Sequence, residues 1–447
     1  MDKYHIITYG CQMNESDSER LAGQLEDLHY MRTDIPAEAD VIIINTCCIR
    51  ESAENKVYGK IGELKHLKQE NPNLLIGITG CMAQKNKAKL FQRAPHIDFV
   101  LGPYNLHHLE ELVSKKHTTV ASHTLMTDMR AASIEDFTDI TAKRESHIFA
   151  WVPIMQGCNK FCTYCIVPYV RGREWSRPLA SIRSEVEQLA QEGYKEITLL
   201  GQNVNAYGLD FRDGTDFSDL LYTVNEVEGI ERIRYMTSHP RDMSKTMIDA
   251  IASCSKVCTQ MHLPIQSGSD EVLRMMNRGY TLADYQHLLS YVREKLPKTV
   301  LTTDLIVGFP GETESMHKET IRLLQDVEYD MAYTFIFSKR SGTPAAAMKS
   351  QVDEETKKRR LQELMSVQNQ ISLRKNQAML GSVFEVIVEG PSKKNQENWF
   401  GRTSGNKMIL FPYQDGIKVG QTRSVRVERA QTWVLLGKLV ERSTTSI

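Results

Sequence analysis

Apolar and polar positions in the first 140 residues alternate between two periods. "YHIITYGC" (4–11), "DVIIINTC" (40–47) and "LLIGITGC" (74–81) are short, nearly unbroken apolar runs rich in β-branched residues, the pattern of strands buried on both faces. Between them, "SDSERLAGQLEDL" and "SAENKVYGKIGELKHLKQ" have helical spacing. This β-α-β-α-β order predicts an α/β unit with a parallel sheet over residues 1–120. Residues 117–147 are polar and weakly periodic, and a linker is expected over 121–147. From 148 the alternation resumes on a larger scale. Strands are predicted at 150–157, 196–203, 232–239, 258–267, 299–310 and 332–338, with amphipathic stretches between them. Six β-α units predict a β/α (TIM-like) barrel, partial or complete, over 148–380. Its last stretch, 353–380, is helical and charged, with Leu361, Leu364 and Ile371 near one face. Residues 381–447 then break into short strands punctuated by Gly and Pro, which predicts a small antiparallel β-barrel.

Charge and composition narrow the setting. A formal net charge of −1 over 447 residues neither marks nor excludes a nucleic-acid partner. The last 67 residues differ, with ten Lys/Arg against six Asp/Glu, a local excess of +4. The start, "MDKYHIITYG", lacks a basic stretch followed by a long apolar one, so no signal peptide is expected. No apolar run reaches the roughly 18 residues of a membrane span. A cytoplasmic protein with no membrane partner is expected. Nine cysteines, an odd number, then point to metal or redox work rather than to a disulfide framework.

Three of those cysteines, Cys158, Cys162 and Cys165, fall within "QGCNKFCTYCIVP". A structural zinc site takes four ligands. The following "CIVPYVRGREWSRP" offers no further Cys or His after Cys165, so zinc requires a distant fourth ligand. A thioredoxin-like pair leaves one cysteine over. Three soft thiolates on one short loop suit a [4Fe–4S] cubane whose fourth iron is left open to a substrate or cofactor. A second set, Cys11, Cys47 and Cys81, ends the runs "TYGC", "INTC" and "ITGC". Carboxyl ends of parallel strands share one edge, the usual ligand side of an open α/β sheet. Two readings stand here: a second cluster with three protein ligands, and three small buried cysteines. Cys48, adjacent to Cys47, is expected to be buried and structural. Cys254 and Cys258 in "SCSKVC" have no third partner and are read as structural too.

CxxxCxxC after the first strand of a β/α barrel, with Tyr164 directly before the third cysteine, resembles the radical S-adenosylmethionine (SAM) superfamily. The resemblance implies that the open iron chelates the methionyl amine and carboxylate of SAM. One electron then cleaves SAM to methionine and a 5′-deoxyadenosyl radical, which abstracts hydrogen from an unactivated carbon. It also implies cofactor contacts at Tyr164, at Ser267 and Gly268 in "QSGSD", and at Asp304 and Gly308 in "DLIVGFPGE". The glycines would permit close backbone approach to the ligand.

Both cysteine sets, the barrel and the terminal β-barrel together resemble the methylthiotransferases over nearly the whole chain. "YGCQMNESDSE", "NTCCIRESAENKVYGKIG", "MQGCNKFCTYCIVPYVRGREWSRP", "HLPIQSGS" and "FGRTSGNKMILF" carry the resemblance. They look most like the branch that acts on isopentenyladenosine in tRNA. "TCCIR" departs from the family, because Cys48 occupies a position often small and polar there; Cys47 keeps the register of the Asn-Thr-Cys motif. The resemblance implies two [4Fe–4S] clusters with distinct tasks. Cys158, Cys162 and Cys165 would hold the one that generates the radical. Cys11, Cys47 and Cys81 would hold the one that carries the sulfur, as an added sulfide or a cluster sulfide. That second cluster accepts a methyl group from one SAM, a further SAM supplies the radical, and methylthio goes onto C2 of the base beside the anticodon. The implied partners are tRNA bearing isopentenyladenosine, a reducing electron donor and a sulfur source. The sister branches act on threonylcarbamoyladenosine in tRNA or on an aspartate of a ribosomal protein. A different class, a non-enzymatic RNA-binding iron–sulfur electron carrier, has no use for SAM-like loops.

Residues 382–441 resemble a TRAM domain, a small RNA-binding β-barrel, and RNA contacts are expected at Arg402 and Lys407 in "GRTSGNK". Trp399 and Phe400 suit either base stacking or core packing. Arg171 and Arg173 suit phosphate, the SAM carboxylate or a structural role. "KKRR" (357–360) suits a solvated helix face or a tRNA contact.

Overall fold

A computed structural model describes residues 1–47, 51–114, 123–129 and 142–441, with no side chains described for 51–55. The first unit is a parallel sheet of six strands. They are β1 (Lys3–Tyr9), β2 (Met31–Arg32), β3 (Val41–Thr46), β4 (Leu75–Gly80), β5 (Phe99–Leu101) and β6 (Thr124–Met126), in the order β2-β1-β3-β4-β5-β6. Central β3 is buried along its whole length because helices cover both faces. Val41 and Ile43 share a core with Leu21 and Leu25 of α1 (Gln12–Asp27). Ile42 and Ile44 share the opposite one with Val57, Ile61 and Leu64 of α2 (Glu51–Glu70). That two-sided burial produces the unbroken apolar runs in the sequence. β6 lies within the stretch read as a linker: Phe99, Val100 and Leu101 pair with Thr124, Leu125 and Met126. Three residues at a sheet edge are too few to leave a periodic signal.

The second unit holds two parallel three-stranded sheets. One is β11 (Arg232–Tyr235), β10 (Glu196–Leu200) and β7 (Phe149–Pro153); the other is β12 (Gln260–His262), β13 (Val300–Val307) and β14 (Met331–Ile336). A parallel bridge from Ile233 to Val257 joins them into the expected barrel order. No pairing joins β7 to β14 among the described residues, so the barrel is partial. The stretch 150–157 is not one strand. Met155–Gln156 (β8) leaves the sheet and pairs antiparallel with Trp175–Ser176 (β9), and the intervening loop carries the clustered cysteines.

A helix over Glu354–Gln377 packs Leu364 and Ile371 into the barrel core and leads to the third unit. There β15 (Val383–Pro391), β16 (Asn398–Arg402), β17 (Met408–Pro412), β18 (Thr422–Ala430) and β19 (Leu435–Val440) close a barrel around Val386, Val388, Ile409, Phe411 and Val425. One correction applies: β17 and β19 pair parallel, so the barrel is not wholly antiparallel.

Candidate functional site

The N-terminal cysteines meet because of strand register. Tyr9 of β1 lies opposite Thr46 of β3, and Thr46 lies opposite Gly80 of β4. Cys47 and Cys81 therefore leave the sheet side by side, and Cys11 sits one residue farther along as the N-cap of α1. Gly80 is at φ +87°, and a Cβ there would stand 2.3 Å from the Thr46 carbonyl oxygen, so only glycine lets this edge close. Asn14 and Asn45 lock it from beneath: Asn14 Nδ2 donates to Asn45 Oδ1 (2.8 Å), and Asn45 Nδ2 donates to the Asn14 carbonyl (2.8 Å). The three thiols interact. Hydrogen bonding to Cys47 draws Cys11 down to about 7. Cys47 is driven up by its bonds to Cys11 and Cys81 and by burial. Arg171 Nε donates to Cys81 Sγ (3.3 Å), and its Nη2 pairs with Asp17 Oδ2 (2.7 Å).

The barrel cysteines are set by a tight loop. Gly157 is at φ +74° against the carbonyls of Arg171 and Arg173, and Cys158 N–H donates to the Gly172 carbonyl (3.1 Å). Thr163 pins the loop to the segment after a short helix, donating from its N–H to the Met276 carbonyl (3.0 Å) and from its hydroxyl to the Met275 carbonyl (2.9 Å). Buried Arg278 completes the centre, donating from Nη1 to Cys162 Sγ (3.4 Å) and to the Tyr164 hydroxyl (3.3 Å). Burial pushes the Cys158 and Cys165 thiols up to about 12, and for Cys165 the neighbouring Cys162 and the more distant Cys81 add to the rise. Burial, then Arg278, Lys160 and Arg241, push His239 down to about 2.

Other expected site residues fall differently. Gly268 allows close approach, but to protein: a Cβ there would lie 2.7 Å from Thr320 Cα, and its N–H donates to the Thr320 hydroxyl (2.9 Å). Gly308, at φ +70°, makes room for the Lys357 stem in the same way. Ser267 is fully buried beside Thr320. Asp304 keeps a partly exposed carboxylate, 3.6 Å from His262 Nε2. Cys254 and Cys258 are buried apart from both sets; Cys48 lies outside the described residues. No disulfide involves the eight described cysteines.

Of the RNA contacts expected in "GRTSGNK", the Lys407 side chain is largely buried and that of Arg402 stays about one-third exposed. Lys407 Nζ pairs with Asp330 Oδ1 (3.1 Å) and donates to Asn376 Oδ1 (2.8 Å). Arg402 pairs with Glu389 (3.1 Å), while Arg234 holds the Thr403 and Ser404 carbonyls at 2.8 and 2.9 Å. This hairpin is the seam between the two barrels. Trp399 packs on the β-barrel core and against Tyr413. In "KKRR", Lys357 and Arg360 are buried, and Arg359 and Arg360 pair with Glu314 and Glu312. Arg173 lies over the Phe161 ring, 4.7 Å from its centroid. Lys407→Met should cost about 1–3 kcal/mol of stability, since Asp330 loses one of two cationic partners. In urea unfolding the midpoint should fall, while the salt dependence of tRNA binding stays unchanged. A lysine that neutralises a phosphate would lower that log–log slope by about 0.7–0.9.

Three family profiles match the chain in succession: Uncharacterized protein family UPF0004 over residues 3–102, the Radical SAM superfamily over 152–324 and the TRAM domain over 377–440. A tRNA-2-methylthio-N(6)-dimethylallyladenosine synthase from Acetivibrio thermocellus is 48% identical over 98% of this chain and 91% of its own. A protein of the same name from Desulforamulus reducens is 47% identical over 99% and 96%. The chain belongs to the tRNA-2-methylthio-N(6)-dimethylallyladenosine synthases. These synthases are transferases of the radical SAM superfamily, and [4Fe–4S] clusters and SAM are the cofactors of that family. The fold has relatives among solved structures too. The radical S-adenosylmethionine methyltransferase TsrM from Kitasatospora setae, with tryptophan and a SAM analog bound, aligns with a TM-score of 0.57 at 13% identity, covering 77% of this chain and 75% of its own.

The donor chemistry of this chain fits such clusters. Each set offers three soft sulfur donors with no disulfide, and each is faced by one buried guanidinium that balances thiolate charge. Among the described residues no group of His, Cys, Asp or Glu is arranged to grip a single metal ion, so the fit rests on that donor chemistry. Arg278 and Asp17 left no mark in the sequence. Their sulfur or guanidinium partners lie 116 and 154 residues away, and no spacing rule spans such distances.

Proposed function

We propose that this chain attaches a methylthio group to C2 of N6-dimethylallyladenosine beside the anticodon of tRNA, consuming two SAM per turnover. The observation that carries the reading is the pair of three-cysteine sets, linked by residues 171–172, which bond to Cys158 and to Cys81, in a chain whose relatives bear that activity as their name. With clusters bound, Cys158, Cys162 and Cys165 would serve the cleavage of SAM, and Cys11, Cys47 and Cys81 would serve the delivery of sulfur. Asp304, the expected SAM contact with a partly exposed carboxylate, suits a hydroxyl or ammonium of that ligand. Ser267, Gly268 and Gly308 serve it by shaping the backbone of their loops, and Tyr164 by its bond to Arg278. A reducing electron donor and a sulfur source complete the reaction in the cytoplasm. No helix among the described residues is long and apolar enough to cross a membrane.

The test is anaerobic incubation of the reconstituted, reduced protein with SAM and tRNA that carries dimethylallyladenosine without the methylthio group. Mass spectrometry of the digested nucleosides should show the 2-methylthio product. Release of 5′-deoxyadenosine with no modified nucleoside would move the substrate to threonylcarbamoyladenosine or to a ribosomal protein. Neither product, with clusters intact, would leave the electron carrier.

A further inference from the structure

Residues 171–173 belong to the barrel unit yet touch both centres. Their backbone closes the barrel loop, since the Gly172 carbonyl accepts from Cys158 N–H and the Arg171 and Arg173 carbonyls crowd Gly157. Their side chain reaches the other unit: Arg171, 2% exposed, donates from Nε to Cys81 Sγ at 3.3 Å. Asp17 and Tyr104 of the N-terminal unit fix it there, through the 2.7 Å ion pair and a 2.6 Å bond from the Tyr104 hydroxyl to the Arg171 carbonyl. Arg171 Nη1 and Asp17 Oδ1 are buried with no hydrogen-bond partner among the described residues. Two unsatisfied polar atoms in so dry a place cost stability, about 1–3 kcal/mol each. A group seated on the three sulfurs would bring an acceptor to Nη1, the donor that the ion pair with Asp17 leaves unmet.

We infer that Arg171 is a positioning residue for the centre held by Cys11, Cys47 and Cys81, and that with Asp17 it sets the reduction potential of that centre. A guanidinium donating to a ligand sulfur stabilises the reduced, more negative form and raises the potential. Asp17, on the far side of the guanidinium, opposes it by adding negative charge. The pair acts as an oriented dipole with its positive end on the sulfur. The barrel unit thereby tunes the N-terminal centre through the same peptide that shapes its own cysteine loop. This rests on the reading that the N-terminal set holds a cluster.

The two residues have opposite expected effects, which a merely structural role does not produce. Full-length protein carrying Cys158→Ala, Cys162→Ala and Cys165→Ala reports the N-terminal centre alone. In that background, redox titration followed by electron paramagnetic resonance should show Arg171→Gln moving the potential down. The expected change is about tenfold in the reduction equilibrium constant, about 59 mV for one electron. Asp17→Asn, which keeps an oxygen acceptor for the guanidinium, should move it up. Arg171→Lys should restore part of the loss. Iron content of every variant is measured alongside. Should Arg171→Gln lose its iron through misfolding, Asp17→Asn and Arg171→Lys decide the matter. Full iron with unmoved potentials, or shifts of one sign in both variants, would overturn the role of Arg171. No iron in the background protein would overturn both this role and the cluster reading beneath it.

Discussion

Cys47→Ala should abolish the methylthio nucleoside and leave 5′-deoxyadenosine release comparable to the parent. Cys47 follows the central strand, is buried, and is the thiol that bonds to both of its neighbours, so its loss leaves two sulfurs that no longer converge. The barrel loop shares no backbone hydrogen bond with Cys47, whose N–H is held by the Tyr9 carbonyl. SAM cleavage therefore survives and the division of labour becomes visible. The variant should still fold, because removing one buried sulfur costs about 1 kcal/mol. Cys254→Ala is the control. It removes an equally buried thiol from the barrel core and should leave both products unchanged. Liquid chromatography with mass spectrometry reads both products from one reaction. Equal loss of both would contradict the split.

Gly157→Ala, at the other cysteine set, should stop SAM cleavage. At φ +74° an alanine already costs about 1–2 kcal/mol. Its Cβ would also stand 1.9 Å from the Arg173 carbonyl oxygen, which is backbone and cannot rotate away. The loop must move, Cys158 loses its bond to Gly172, and the three sulfurs separate. A displacement near 1 Å is enough to cost about a hundredfold in rate. The 5′-deoxyadenosine yield should fall at least that far, taking the nucleoside product with it. Retention of either would show that the loop tolerates the shift and that its geometry is not limiting.

The architecture was legible where burial is two-sided. β3 and β4 are covered on both faces, and such strands announce themselves as apolar runs. β2, β5 and β6, of two or three residues each, are held by neighbours rather than by their own pattern. The six cysteines stand out in the sequence because thiol spacing, and thiols at the ends of strands, are local signals. What surrounds them does not. Arg171 and Arg278 meet sulfurs 90 and 116 residues away, a relation only the folded chain creates. Gly268 and Gly308 invited a ligand explanation, yet the atoms that exclude a side chain there belong to Thr320 and Lys357. Lys407 also has a protein partner that its own stretch does not announce. Basic residues on a small β-barrel suggest RNA, but Asp330 waits for this one across the seam.

Iron and acid-labile sulfide per chain, measured after anaerobic reconstitution, test the claim of two separate thiolate centres most directly. The parent should hold about eight iron, and replacing either cysteine set with alanine should leave about four. Four iron in the parent, with all of it lost when one set is replaced, would mean a single centre and would contradict the account.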